Sequence, residues 1–218
     1  MKKILFVVFA VVVSTGLFAG QGMVITQTYT DASNKDAAMT VTWYISQNQC
    51  KLKMVYADGK VNSTNYFIPD MANGKLLAYS DGVAPGGAKS YYTIPVQNIK
   101  GNVEASRVNV THTDETKTIG GVLCGKVIIK TNRSVTEMWV TKNFKPDFYK
   151  FAAYFQSSIE LMGLDQDALQ GVPLESVTKD NGGVVISSYT LVSAVSSDIN
   201  SSEFTVPSEY KSADAATK

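Results

Sequence analysis

The sequence has few of the residues that support catalytic or metal chemistry. Its 218 residues include one histidine, His112, and two cysteines, Cys50 and Cys124. A Ser-His-Asp or Cys-His arrangement would have to use that single histidine, and a structural zinc site needs about four clustered Cys or His ligands. His112 stands in Val110-Thr-His-Thr-Asp-Glu115, which we predict to be the polar turn at the end of a strand. We therefore predict a protein that is not an enzyme and that uses neither a metal nor a cofactor.

An excess of charge of either sign is also lacking. Lys and Arg number 20 and Asp and Glu number 19, so the formal net charge is +1. Binding to nucleic acid normally needs a basic patch, and this balance predicts no nucleic-acid partner. Beyond residue 19, no apolar run approaches the roughly 20 residues of a membrane-spanning helix. We expect a monomer without a membrane span.

The N-terminus has the pattern of a secretory signal peptide. Met1-Lys2-Lys3 is followed by an apolar run from Ile4 to Val13 and by small residues that end at Ala19. A retained membrane anchor is the alternative, and no Cys follows the run to carry a lipid. We predict a signal peptide over residues 1–19, a single β-rich domain over 20–210 and a flexible tail over 211–218. The predicted location is periplasmic or secreted.

The two cysteines allow two interpretations. In an oxidising compartment a pair of cysteines suggests a disulfide, here between Cys50 and Cys124. Buried free thiols are the alternative, because cysteine is a common core residue. We predict the bond because both cysteines stand near predicted strand starts.

Alternating polarity predicts an antiparallel sheet. Met39, Val41, Trp43 and Ile45 share one face of a strand that a polar link, Ser46-Gln-Asn48, joins to a second strand over 50–56. Apolar residues on both faces of 184–195 predict packing on each side of that strand. The other predicted strands span 65–68, 75–80, 91–96, 103–111, 125–131, 135–141 and 172–178.

One segment has a helical pattern. Between Pro146 and Met162, apolar residues recur at steps of three and four, including Phe148, Phe151, Phe155 and Ile159. Pro146 suits the first turn of a helix, and Gly163 suits its end. The predicted fold class is α+β: a curved antiparallel sheet, with one main helix covering its concave face.

Three motifs carry a resemblance to a known family. They are Thr118-Ile-Gly-Gly-Val-Leu-Cys-Gly-Lys126, Thr136-Glu-Met-Trp-Val-Thr141 and Phe204-Thr-Val-Pro-Ser-Glu-Tyr210. Together they resemble a family of exported bacterial proteins classed as a domain of unknown function. That family looks related to the LolA/LolB-like lipoprotein carriers, whose fold is an unclosed antiparallel β-barrel, or β-clam, with a helical lid. Val122-Leu123 departs from the pattern, which often has an aromatic residue before the Cys.

The resemblance implies binding of a lipid, an acyl chain or a lipoprotein, without catalysis. It identifies no ligand residue, because such carriers recognise cargo by the shape of a cavity. A cavity between sheet and helix would be lined by residues on their facing sides, namely Trp43, Met54, Phe148, Phe151, Phe155 and Ile159. The alternative is a structural or surface interaction protein, in which the same residues form a filled core and bind no ligand.

Overall fold

The protein forms one sheet of twelve strands. The computed structural model describes residues 22–57, 62–82, 89–95, 108–141, 151, 154–155 and 171–213. The strands are β1 (Gly22–Asp31), β2 (Asn34–Ser46), β3 (Cys50–Ala57), β4 (Asn62–Asp70), β5 (Lys75–Ser80), β6 (Ser90–Pro95), β7 (Asn109–Ile119), β8 (Val122–Lys130), β9 (Ser134–Thr141), β10 (Val172–Asp180), β11 (Val185–Ser197) and β12 (Lys211–Ser212).

The sheet is curved and unclosed, and it consists of two meanders joined by one strand. Its order is β12-β6-β5-β4-β3-β2-β1-β11-β10-β9-β8-β7. Strands β2 to β6 follow one another on one side, and β7 to β11 do so on the other. Strand β1 pairs antiparallel with both β2 and β11. The short strand β12 pairs parallel with β6.

The core lies on one face of the sheet, which we call the inner face. Successive strand residues point to opposite faces, so the inner residues of neighbouring strands meet in rows. One such row aligns Ile25 of β1, Trp43 of β2 and Leu52 of β3. These three belong to one buried apolar cluster, which extends across the sheet to Val127 of β8.

The opposite, outer face is covered in part by the C-terminal segment. Residues Ser201–Phe204 form a 3₁₀ turn, and Phe204 and Tyr210 are buried. Tyr210 packs edge-on against Tyr79, with ring centroids 4.8 Å apart. Lys51 makes an ion pair of 2.8 Å with Glu203. These contacts thus hold the C-terminal segment against the outer face of the first meander.

On the second meander, the outer face carries a network of charges. Lys126 lies 3.2 Å from Glu115 and 3.1 Å from Glu137, which also pairs with Lys179 at 3.0 Å. The Lys126 ammonium is 5.8 Å from the ring of Trp139. Trp139 therefore belongs to the outer surface, whereas Trp43 belongs to the core.

The structure confirms the hairpin that β2 and β3 form and the limits predicted for β5. Strand β1 had not been predicted. Strand β7 runs on to Ile119, so His112 lies within a strand and not in a turn, and its side chain is exposed. The expectation that β11 packs on both sides is wrong, because Val192 is 62% exposed and Val195 is 56% exposed. In the predicted tail, Lys211 and Ser212 pair with β6.

The predicted main helix is not seen among the residues that the structure describes. Of the segment from Pro146 to Met162, these include Phe151, Tyr154 and Phe155. Phe151 is helical, and its carbonyl accepts a 2.8 Å hydrogen bond from the Tyr154 amide. Phe148 and Ile159 lie outside the described residues. The described fold is therefore almost entirely β.

A gap in the ladder between β10 and β11 is bridged by a side chain of β1. Pairing of β10 with β11 covers Ser176 to Lys179 and does not include Pro173 or Leu174. The buried Gln27 amide donates hydrogen bonds to the carbonyls of Pro173 (3.2 Å) and Leu174 (2.8 Å). Gln27 thus replaces ladder hydrogen bonds that the neighbouring strand does not supply.

The predicted disulfide is wrong. Cys50 and Cys124 are buried free thiols, which was the alternative interpretation. The two cysteines lie on β3 and β8, six strand spacings apart in the sheet, or about 29 Å along it. A disulfide needs Cα atoms within about 7 Å of each other. Burial raises the pKa of both thiols, that of Cys124 to about 11.

Both thiols should be unreactive until the protein unfolds. Burial and a raised pKa keep thiolate, the reacting species, scarce near neutral pH. Without reductant, a thiol reagent should label neither cysteine in the native protein and both in urea. An oxidised pair in protein purified from an oxidising compartment, detected as no labelling in urea without reductant, would contradict the free-thiol state.

Gly171 marks the point where the segment between β9 and β10 returns to the sheet. Its φ is +115°, and a Cβ atom built there would lie 1.7 Å from the Thr141 carbonyl oxygen. Thr141 and Val172 are paired residues of neighbouring strands. The segment between them therefore leaves and rejoins the sheet at the same place. A side chain at position 171 would prevent this close approach.

Gly171→Ala should lower the free energy of unfolding by more than about 3 kcal/mol, because it combines a backbone clash with a φ that L-residues avoid. Gly121→Ala is the matched control: its φ is +80°, but no atom lies within 4 Å of the added Cβ. It should cost about 1–2 kcal/mol. Urea denaturation measures both, and equal losses would show that the close approach is unimportant.

Candidate functional site

The inner face changes character along the strands. Where β1 starts, its inner residues are apolar and fully buried, as Met23 and Ile25 are. Toward the end of β1 they become Gln27 and Tyr29. The inner residues of β2, by contrast, stay apolar and buried as far as Met39. We call the end at Met23 the closed end and the end at Tyr29 the open end.

Exposure of β3 residues identifies the open end. Cys50 and Leu52 are buried at the closed end, Met54 is half-buried, and Tyr56 is 39% exposed. At the closed end, Gly22 lies so close to the Ile45 carbonyl and Ile199 that a Cβ atom there would be only 2.8 Å from the nearer of them. Among the described residues of β3, the inner face is therefore most exposed at the Tyr56 end.

Two aromatic residues from outside the sheet complete the core. Phe155 packs edge-to-face on Trp43, with ring centroids 5.1 Å apart and planes at 89°. Phe155 is 3% exposed and Phe151 is fully buried. Both residues come from the segment between β9 and β10. The structure thus brings together Trp43, Phe151 and Phe155, and it places Met54 at the margin of the same cluster.

Toward the open end, uncharged polar residues replace apolar ones on the second meander as well. Ser134, Thr136 and Ser176 are buried. The hydroxyl of Thr136 lies 3.1 Å from that of Thr178, on the neighbouring strand. The inner wall is therefore amphipathic along its length: apolar at the closed end and rich in hydroxyl groups at the open end.

Tyrosines at the open end are functional candidates that the sequence analysis missed. The rings of Tyr29 and Tyr189 lie 4.8 Å apart at 49°. Burial, more than the neighbouring Asp31 carboxylate, raises the pKa of Tyr29. Burial also raises the pKa of Tyr189, with smaller contributions from Tyr29 and Tyr56. Alternation in Val24-Ile-Thr-Gln-Thr-Tyr29 was the signal that could have identified the strand.

A groove on the outer face is a separate cavity. It has a volume of about 680 Å³ and lies between the β4–β5 hairpin and the C-terminal segment. Ile68, Leu77, Tyr91, Val206 and Tyr210 are among its lining residues. None of the predicted site residues that the structure describes lines it, because they all belong to or pack against the apolar cluster of the inner face.

The described residues include neither a metal-binding cluster nor a membrane-spanning helix. No group of three or more His, Cys, Asp or Glu side chains is placed to hold a metal ion. No helix in that part of the chain is long and apolar enough to cross a membrane.

Solved structures that are similar to this chain have low sequence identity to it. An uncharacterised conserved protein of Thermus thermophilus matches with a TM-score of 0.53 and 9% identity, over 89% of this chain and 92% of that one. A chain of the Pseudomonas aeruginosa MucA/MucB complex matches with a TM-score of 0.48 and 11% identity, over 86% of this chain and 56% of its own length.

A putative outer membrane lipoprotein-sorting protein domain from Vibrio parahaemolyticus matches with a TM-score of 0.38 and 7% identity, over 84% of this chain and 88% of that one. At 9% identity, the match to the Thermus thermophilus protein indicates a shared fold and not a shared activity. No curated protein matches the chain. The family described as "Domain of unknown function (DUF4412)" matches residues 23–210, most of the sequence, and the protein belongs to that family.

Proposed function

We propose that this protein is an exported, non-catalytic binding protein for a long-chain amphiphile, whose apolar chain enters the inner face beside Trp43. One observation carries the proposal. The core of the sheet is completed by Phe151 and Phe155, which come from a segment inserted between two paired strands and not from the sheet itself. Phe155 and the ligand chain would occupy the same space against Trp43.

Phe151 and Phe155 are not part of the β9–β10 ladder. Thr141 and Val172, the sheet residues that flank the segment between β9 and β10, remain paired with each other. Withdrawing the two phenylalanines therefore breaks no hydrogen bond of the β9–β10 ladder. The exposed apolar surface would be unfavourable in water, so an apolar ligand is needed to fill the space.

Magnitudes set the minimum length of the ligand. Exposing two buried phenylalanines costs roughly 3–6 kcal/mol, and loss of the Trp43–Phe155 contact adds about 1 kcal/mol. Each buried methylene of a ligand returns about 0.8 kcal/mol. A chain of about ten or more carbons therefore offsets the cost, whereas a short chain does not.

The amphipathic inner wall supports an amphiphile over a plain hydrocarbon. A chain inserted toward Met23 would leave its polar end among Tyr29, Tyr56 and Ser176, where hydroxyl groups can hydrogen-bond to it. The sequence supports an exported protein, because residues 1–19 have the signal-peptide pattern.

A structural protein with a permanently filled core is the second candidate. The observation that favours it is the complete burial of Phe151 and the near-complete burial of Phe155. In that case the wild-type protein binds no amphiphile, and the segment between β9 and β10 is an ordinary part of the core.

The two tryptophans provide a test that localises the ligand. In Trp139→Phe, Trp43 on the inner face is the remaining reporter, and in Trp43→Phe it is Trp139 on the outer face. A stearic acid that carries a nitroxide on its chain should quench Trp43 fluorescence with saturation and leave Trp139 fluorescence nearly unchanged. Native mass spectrometry of the exported protein should show an amphiphile adduct. Equal quenching of both reporters, or of neither, would exclude the proposed site.

Phe155→Ala should bind a dodecyl chain about tenfold more tightly than the wild type, because the ligand no longer has to displace the ring. Its free energy of unfolding should fall by about 3–5 kcal/mol without ligand. Phe204→Ala is the control, since it removes a buried ring from the outer face. It should lower stability and leave chain affinity unchanged. An equal gain in both variants would contradict a role for Phe155 as the competing group.

A further inference from the structure

The residues at the open end form a defined row across four strands. Tyr189 of β11 pairs with Tyr29 of β1, which pairs with Met39 of β2, which pairs with Tyr56 of β3. Paired residues point to the same face of a sheet, so these four side chains lie side by side on the inner face. We call them the mouth row. The row below it, toward the closed end, contains Gln27, Val41 and Met54.

A carboxylate lies next to this row, on the side away from the closed end. Asp31 follows Tyr29 by two residues on the same strand, and the Tyr29 hydroxyl donates to its Oδ2 at 3.5 Å. Its Oδ1 accepts hydrogen bonds from the amide and the hydroxyl of Ser33, at 2.8 and 2.6 Å. The exposed turn between β1 and β2 thus fixes the position of the Asp31 carboxylate.

Aromatic faces beside a carboxylate are suited to a cation. The π face of a tyrosine is negative, and two or three such rings around an ammonium group form the cage by which proteins bind quaternary amines. Tyr29 and Tyr189 lie in ring contact, and the partly exposed Tyr56 stands on the other side of Met39. An anionic head group at this place would be repelled by Asp31 and would face the negative side of the rings.

Arg133 is a positive charge at the same end of the sheet, in the β8–β9 turn. Three strand spacings separate β9 from β1 in the sheet, or about 14 Å along it. This distance exceeds the Debye length of about 8 Å at physiological salt. Arg133 therefore contributes less to the field at the mouth row than Asp31, which is in contact with Tyr29.

We propose that the mouth row and Asp31 form a subsite for the ammonium head group of an amphiphile. This inference rests on the proposed function, since the chain of the same ligand occupies the inner face. Met39 contacts the first methylenes of the chain, and the rings of Tyr29, Tyr56 and Tyr189 surround the head. Primary and quaternary ammonium heads share this chemistry.

The test compares dodecyl ligands that differ in the head group. Four ligands are titrated into Trp139→Phe, each below its micelle concentration: dodecyltrimethylammonium, dodecylamine, dodecanoate and monododecanoylglycerol. The readout is displacement of the nitroxide stearic acid from Trp43. The two ammonium ligands should bind about tenfold more tightly than the neutral glyceride, as expected for a cation over desolvated rings. Dodecanoate should bind most weakly.

Four variants separate the contributions. Asp31→Asn should reduce the preference for ammonium severalfold and leave glyceride affinity unchanged. Glu115→Gln, on the outer face, changes the net charge equally and should have no effect. Tyr56→Leu should reduce ammonium affinity, whereas Tyr56→Phe, which keeps the ring, should retain it.

Each outcome has one meaning. If the nitroxide stearic acid does not quench Trp43, or if no dodecyl ligand displaces it, the proposed function itself fails. If all four ligands bind equally, or if dodecanoate binds best, chain binding stands and the head-group inference is overturned. An equal effect of Asp31→Asn and Glu115→Gln would also overturn it, because the preference would then reflect net charge and not this subsite.

Discussion

Everything in this fold depends on the double pairing of β1. The strands before and after it in the sheet order belong to two separate meanders, and β1 alone is hydrogen-bonded to both. Without that strand, each meander would expose an edge and half of an apolar face. Because β1 also supplies Met23, Ile25, Gln27 and Tyr29 to the inner face, it joins the halves and sets the polarity gradient of the wall that they share.

The two faces of the sheet are stabilised by different means. On the outer face, the ammonium group of Lys51 lies about 5 Å from the rings of Tyr44 and Tyr66 and pairs with Glu203, which holds the C-terminal segment in place. Packing there is local to the first meander. On the inner face, one apolar cluster extends across both meanders. A change at the inner face can therefore leave the outer attachments intact.

Local sequence patterns were enough to predict most of the strands. Strand β2 was evident because Met39, Val41, Trp43 and Ile45 alternate with polar residues. Strand β1 was missed because Gln27 interrupts its apolar face, and the reason for that interruption is a hydrogen bond to β10, 146 residues later in sequence. Long-range pairing also determines that the strands of Cys50 and Cys124 lie far apart in the sheet, which local sequence patterns cannot indicate.

Gln27 also explains why the gap between β10 and β11 is stable. The Pro173 and Leu174 carbonyls are buried beside a strand that does not pair with them at that level, and an unpaired buried carbonyl costs about 1–3 kcal/mol. The Gln27 amide satisfies both while lying on the inner face, directly below the mouth row. The polar side chain that broke the sequence pattern of β1 is thus the one that holds β10 to the sheet where its ladder with β11 ends.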